Sequence, residues 1–361
     1  MPVNTVVDTA TLKSAAEQFP TALWNDSADP AELAQSIGFG AVGATCNPVI
    51  ALAAINANHE EWKSRIRELA RRYPKATECW LGWKVIEELS TAAARLLEPA
   101  FRASGGRNGR LSIQTDPRFH RDAEALVEQA VHFSSLADNI IVKIPATSVG
   151  LRAIEEATYR GVSINVTVSF TVAQAVASAE AIERGLDRRS AEGLPETEFG
   201  SVVTIMGGRL DDWLKAWTQH NRILVDPGVL EWAGVAALKR AYGIFVERGF
   251  RSRVLSAAFR NHMQWSELQG GDLVVSPPFD WQMRINENGI VAEDRIGQPV
   301  DEDILRVLRE RVPEFNRAYE VDGLTPDEFD TFGATVRTLR QFLEAVAALD
   351  RVIRDVLLPP V

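Results

Sequence analysis

The 361 residues, 46% of them apolar, are enough for one large α/β barrel or for two ordinary domains. A formal charge of -10 argues against a nucleic-acid binder, because affinity for a phosphate backbone comes from clustered Lys and Arg. Any anionic substrate therefore needs a local arginine pocket set against the global field. The most basic stretch, RIRELARRYPK (65–75), reads as a solvated helix end.

The N-terminal MPVNTVVDTATLKSAAEQFP has no basic start followed by an apolar run, and no uncharged apolar stretch of about 18 residues occurs anywhere. The expectation is a soluble cytoplasmic protein without a membrane partner. Short β-branched runs then recur in chain order: TALWN (21–25), GAVGAT (40–45), LSIQT (111–115), NIIVKI (139–144), VSINVTV (162–168), SVVTIM (201–206), RVLSAA (253–258) and DLVVS (272–276). Apolar runs of this size fit parallel strands covered on both faces. Helical periodicity spans Asp29 to Ile37, Val85 to Leu97, Arg121 to Ser134, Val149 to Arg160, Val172 to Leu186 and Gly228 to Arg248. Eight strands alternating with helices predict an α/β fold, a (β/α)8 TIM barrel, ahead of a doubly wound open sheet.

Two segments exceed the minimal repeat. Residues 51–110 place about two helices between the second and third strands, HEEWKSRIRELARRY and KVIEELSTAAARLL, and residues 280–361 end in a long helix around FGATVRTLRQFLEAVAALDRVIRDVLL. The polar, acidic stretch from Pro299 to Pro326 is expected to wrap the outside. With no linker rich in Pro, Gly or Ser, the chain reads as a single domain over 1–361, with a barrel core of about 20–280 and a C-terminal helical extension over 281–361.

Gly38, Gly40 and Gly43 in SIGFGAVGAT match the dinucleotide fingerprint G-x-G-x-x-G. That fingerprint works when a strand precedes it and a helix follows, so that the pyrophosphate meets a helix N-terminus. Here a helix precedes and a strand follows, so the glycines read as a helix-to-strand loop with Gly38 near the C-cap. His59, His120, His132, His220 and His262 form no HExxH or i, i+4 pair. Cys46 and Cys79 show no zinc-ligand spacing and read as small buried apolar residues. No metal or cofactor is expected from the motifs, which also lack a GxSxG elbow and a Walker A loop.

What remains is a series of polar residues at strand ends. Asp26 follows LWN, Asn47 follows GATC, Gln114 ends LSI, Lys143 ends IIV, Asn165 and Thr167 sit in INVTV, Arg209 follows TIMGG, and Arg260 follows AAF. In a barrel these C-terminal strand ends share one face, where active sites are found. A single polar strand end is ordinarily just solvated; eight together are harder to dismiss. Burial disfavours the charged form of Lys143 and leaves a neutral amine able to form a Schiff base with a ketone or aldehyde. A snorkelling or salt-bridged lysine is the competing reading. Asp26 reads equally as a general acid/base and as a helix N-cap within NDSADPAEL. Arg209 and Arg260 fit a phosphate grip or pairing with surface acids.

Through these residues the chain resembles the transaldolase family. GATCNPVI resembles that family's TSNP strand, LSIQTDPR its SxEVDPR strand, NIIVKIPATSVGLRAI its lysine strand, and GVSINVTVSFTVAQAVASAEA its N-x-T segment. GGRLDDW and AAFRN resemble its VGR and ASFRN motifs, so the matches run in order from about residue 22 to 275. The resemblance implies a Schiff-base barrel that needs neither metal nor cofactor, with sugar phosphates as its partners. Lys143 is then the imine-forming nucleophile and Asp26 an acid/base near the C3 and C4 hydroxyls of a ketose. Asn47 and Asn165 orient the dihydroxyacetone unit, Thr167 helps to place a catalytic water, and Arg209 with Arg260 holds the phosphate.

Three positions depart from the family pattern. Gln114 stands where the family has a glutamate, and an amide holds a water without relaying its proton as a carboxylate does. Thr204-Ile205-Met206 replaces SPF, which puts Met206 where the family's aromatic meets substrate. Ala258 replaces a serine expected to contact phosphate. The resemblance thus implies a transaldolase-like transferase of carbohydrate metabolism, of the pentose phosphate pathway type, moving a dihydroxyacetone unit from a ketose phosphate to an aldose phosphate, with donor or acceptor altered. Two other readings stay open. One is a lyase like the fructose-6-phosphate aldolases, which carry glutamine at this position and release dihydroxyacetone. The other is a catalytically impaired barrel that only binds sugar phosphates.

Overall fold

The computed structural model describes residues 11–195 and 200–359, so half of the N-terminal stretch considered above lies outside the described residues. Helix α1 (Thr11–Gln18) leads into β1 (Ala22–Asn25), α2 (Pro30–Gly38) and β2 (Ala41–Cys46). Three helices then intervene, α3 (Pro48–Ala57), α4 (His59–Arg72) and α5 (Glu78–Ala103). Regular alternation follows with β3 (Arg110–Gln114), α6 (Ala123–Ser134), β4 (Ile140–Pro145), α7 (Ser148–Tyr159), β5 (Ile164–Thr167), α8 (Val172–Ala191), β6 (Val202–Ile205) and α9 (Gly207–His220). After α10 (Pro227–Leu230) and α11 (Ala233–Arg248) come β7 (Arg253–Ala257), α12 (Met263–Ser266) and β8 (Val274–Ser276). The last four helices are α13 (Phe279–Glu287), α14 (Glu302–Arg311), α15 (Pro313–Tyr319) and α16 (Gly333–Leu357).

All neighbouring strands pair in parallel in sequence order, and β8 returns to β1. The result is the expected (β/α)8 barrel, with added helices after β2 and at the C-terminal end of the described chain. The helices start where sequence and strand end coincide: Asp29, Asn47, Asp122, Thr147 and Thr171 each accept a backbone N–H of the following first turn. The GxGxxG segment lies between α2 and β2, in the helix-to-strand order that excludes the dinucleotide role. Its third glycine has a packing reason, because a Cβ on Gly43 would lie 2.4 Å from the Trp24 ring.

Two local expectations need correction, and one helix had no sequence reading. The insertion after β2 holds three helices rather than two, because Asn47 caps an extra helix that begins at Pro48. The single helix expected over 228–248 is broken at Glu231 and Trp232. There the Glu231 carbonyl accepts from the Asn261 side chain, and its carboxylate binds Lys215. Helix α9 was hidden by its opening Gly-Gly. Gly208 is required there, since a Cβ would lie 2.0 Å from the Ala258 carbonyl oxygen.

The apolar core forms two separate clusters. A large one fills the space between sheet and helices, and a small one inside the barrel comprises Ala22, Trp24, Ile141, Val202, Leu255, Ala257 and Val274. Because strand side chains alternate with period 2, the inner cluster fixes which residues face the barrel axis. Residues Pro299 to Pro326 do wrap the outside, where α14 packs on α10, and α15 on α8, α9 and α11. Helix α16 turns back and packs on α3, α4, α5, α9 and the turn after β3. Ser148 after β4 holds Asp330, just ahead of α16, and Gln174 of α8 reaches Thr335 on α16 itself. The extension therefore lies over the C-terminal ends of the strands.

Candidate active site

The inward parity runs upward from an apolar layer to a polar one. Trp24 is followed two residues on by Asp26, Ile141 by Lys143, and Val202 by Thr204. The same parity brings Ser112 and Gln114 inward from β3, and Asn165 and Thr167 from β5. Strand register then sets Gln114 beside Lys143, Lys143 beside Asn165, and Pro145 beside Thr167.

Lys143 is 5% exposed, which removes the snorkelling alternative. Among the described residues no carboxylate oxygen lies within ion-pair distance of its amine, which removes the salt-bridged one. Burial therefore holds its pKa below the ordinary 10.5. The Asp26 carboxylate and then the Cys46 thiol oppose that shift, while the Arg209 guanidinium adds to it. The neutral amine is thus available at lower pH than for an ordinary lysine.

Asp26 is not a helix cap. That role belongs to Asp29, which accepts from the Ala31 and Glu32 backbone N–H groups at 2.9 and 3.0 Å. Asp26 instead accepts from Thr45 Oγ1 at 2.5 Å, and β2 thereby orients its carboxylate. Asn47 is divided: its Oδ1 caps α3 through Val49 and Ile50, leaving its amide N–H groups free of that duty. Gln114 is 3% exposed, and its Oε1 has no hydrogen-bond partner. A buried carbonyl oxygen in that state is an acceptor waiting for a donor.

Asn165 donates to Ser112 Oγ at 2.9 Å and accepts from Thr204 Oγ1 at 2.8 Å. Its amide plane is locked from both sides, with one N–H and one lone pair to spare. Thr167 is buried, and its hydroxyl takes no side-chain partner among the described residues. The next residue, Val168, has φ 50, a left-handed conformation that a β-branched residue adopts only under constraint, at a cost of about 1–3 kcal/mol. Gln174 supplies the constraint by donating to the Val168 and Ala146 carbonyls. Met206 is buried at the start of α9, its N–H donating to the Ser169 carbonyl at 2.9 Å.

Arg209 and Arg260 line one cavity of about 350 Å³ together with Asp212 and residues of α16. Burial and then the neighbouring Arg260 lower the pKa of Arg209, against the pull of Asp26 and Asp212. Arg260 pairs with Asp212 at 2.8 Å. Its backbone N–H donates to Gln264 Oε1 at 2.6 Å, and Gln264 in turn donates to buried Asp211 at 2.7 Å. Asp211 also accepts from the Gly234 N–H, and burial raises its pKa well above the ordinary carboxylate range.

Among the described residues no group of three or more His, Cys, Asp and Glu is placed to hold a metal, and no helix is long and apolar enough to cross a membrane. Both cysteines are free. Cys46 is buried as expected, and burial pushes its thiol up to about 11. Cys79 differs from expectation: it is half-buried and receives a hydrogen bond from Arg118 Nη2 at 2.8 Å.

Residues 23–320 match the family described as transaldolase/fructose-6-phosphate aldolase. The chain belongs to that family. A transaldolase of Thiobacillus denitrificans is 28% identical over 319 residues, which cover 86% of this chain and 84% of that one. Transaldolase 1 of Streptomyces avermitilis is 36% identical over 176 residues, 47% of this chain and 45% of that protein. A Mycobacterium ulcerans transaldolase is 30% identical over 214 residues, 57% of this chain and 55% of that protein. The matched region thus spans about half the length of the Streptomyces and Mycobacterium proteins.

The structure brings Asp26, Gln114, Lys143, Asn165 and Thr167 to the inner mouth of this family barrel, and Arg209 with Arg260 to its rim. Sequence reasoning missed Thr45, Ser112 and Asp211, which orient those groups. For Thr45 and Ser112 the inward strand parity was the available signal; Asp211, on α9, had none. It also missed Arg337, Thr338 and Gln341 of α16, which line the arginine cavity; no local pattern ties a helix at 333 to a strand ending at 205.

Proposed function

We propose that the chain is a transaldolase-type transferase that works through a Schiff base on Lys143. The observation that carries the reading is a buried amine with lowered pKa and no ion-pair partner, placed beside Gln114 and Asn165 in a barrel of this family. Neutral Lys143 attacks the ketone carbon of a ketose phosphate, and loss of water gives the imine. Asp26 takes the proton from the C4 hydroxyl as the C3–C4 bond breaks, an aldose phosphate leaves, and a three-carbon enamine stays on the lysine. An aldose phosphate acceptor then takes the enamine carbon at its aldehyde, and water releases the new ketose phosphate. Asn47 and Asn165 orient the dihydroxyacetone hydroxyls, Thr167 and Gln114 hold the water, Met206 borders the substrate, and Arg209 with Arg260 receives the phosphate.

Such chemistry belongs to carbohydrate metabolism of the pentose phosphate type, and two free cysteines suit a reducing cytoplasm. Gln114 favours a second reading. In that reading the enamine carbon takes a proton from water, and hydrolysis of the resulting imine releases dihydroxyacetone, a lyase outcome, with the unpartnered Gln114 amide oxygen holding the water. Incubation with fructose 6-phosphate and borohydride, followed by intact-mass measurement, tests the common step: a three-carbon adduct absent from Lys143→Ala is expected. No lysine-dependent adduct with any ketose phosphate of a panel contradicts it. Adding erythrose 4-phosphate separates transfer from release.

A further inference from the structure

Ala334, Arg337, Thr338 and Gln341 of α16 line the cavity that holds Arg209 and Arg260, although α16 begins at Gly333 and the family match ends at residue 320. Their spacing of three, four and seven residues from Ala334 places them on one helix face. Arg209 Nη1 donates to Gln341 Oε1 at 2.6 Å and to Thr338 Oγ1 at 3.2 Å, and the guanidinium lies over the Phe342 ring at 5.3 Å. These partners are neutral. They fix the direction of Arg209 without cancelling its charge.

Arg260 is different, since Asp212 already pairs with it. Arg337 is exposed, borders the same cavity, and forms no ion pair among the described residues. The cavity therefore holds three guanidinium groups against the carboxylates of Asp212 and Glu344, with Asp212 committed. Glu344 sits two turns beyond Arg337, so an anion is drawn toward the Arg337 end of the helix. On the strand side Ala258 offers no hydroxyl, whereas Thr338 brings one from the helix side.

We propose that α16 completes the anion site: Arg337 is a third cationic contact for the phosphate of a sugar phosphate, and Thr338 and Gln341 are positioning residues for Arg209. The sugar part of this assignment rests on the function proposed above; the anion part does not.

Calorimetric titration with inorganic phosphate and with fructose 6-phosphate tests it on the full chain. Arg337→Ala is expected to weaken both about 10-fold at low salt, and Arg337→Lys to recover part of the loss, while dihydroxyacetone trapping at Lys143 stays at the wild-type level. Thr338→Val is expected to raise KM for fructose 6-phosphate about 5-fold with kcat retained. Unchanged phosphate affinity in Arg337→Ala overturns the proposal. An equal loss of dihydroxyacetone trapping also overturns it, because the helix is then holding the fold and not the anion. If the wild type traps no ketone while phosphate affinity still depends on Arg337, the catalytic reading falls and the anion site stands.

Discussion

Lys143 and Arg209 are basic side chains at the same end of one barrel, yet they are held in opposite ways. Lys143 sits inside a strand, 5% exposed, between the paired strands of Gln114 and Asn165, and its amine is without an ion-pair partner among the described residues. Arg209 stands on the first turn of a helix, and its guanidinium is directed by Thr338, 129 residues further along the chain. A strand ladder holds the backbone of the nucleophile from both sides. Side chains reaching in from a covering helix, Thr338 and Gln341, direct the charged group instead. Bond-making and anchoring thus have separate supports in this molecule, and substitutions at one end should leave the other largely intact.

The largest test of that separation removes the amine. Lys143→Met is expected to lower turnover on the order of 10⁴-fold while phosphate affinity holds, read by steady-state assay and calorimetry. Loss of phosphate binding in this variant breaks the comparison. Next, Arg260→Ala is expected to lower kcat/KM for phosphorylated ketoses about 10²-fold, since it deletes a charge-assisted contact. Trapping of unphosphorylated dihydroxyacetone should continue, and a parallel loss there means that the two ends are not independent.

Gln114→Glu restores a carboxylate beside Lys143. Transferase turnover is expected to rise about 10-fold if proton relay limits it, and the pH at which trapping reaches half its maximum should move up, because a neighbouring anion favours the charged amine. An unchanged profile places Gln114 away from the amine.

The smallest effect concerns stability. Because the folded pKa of Lys143 lies below 10.5, the folded protein binds fewer protons than the unfolded chain between those two values. The cost of the buried amine is therefore present in full below the folded pKa and fades as pH rises toward 10.5. Lys143→Met should stabilise the protein at neutral pH by on the order of 1 kcal/mol, with a smaller gain at high pH, in denaturant titrations. A variant that is less stable at every pH contradicts a costly buried charge.

The strands were legible because each is a short apolar run bounded by polar ends, and that same boundary exposed Asp26, Gln114 and Lys143. Legibility failed where the determinant was a distant neighbour. Gly208 reads as a helix breaker, yet it is needed because the Ala258 carbonyl lies against it. Asp26 and Asp29 look interchangeable as caps, and only the hydrogen bond from Thr45 separates them. The arginine cavity depends on α16, whose apolar stripe announces a helix but not the surface it covers.

The central claim is that Lys143 carries the substrate. Borohydride reduction in the presence of fructose 6-phosphate, followed by digestion and peptide mass mapping, should place one reduced three-carbon adduct on the peptide containing Lys143 and none on the other lysines. An unmodified Lys143, or an adduct on another lysine that survives Lys143→Met, contradicts the account.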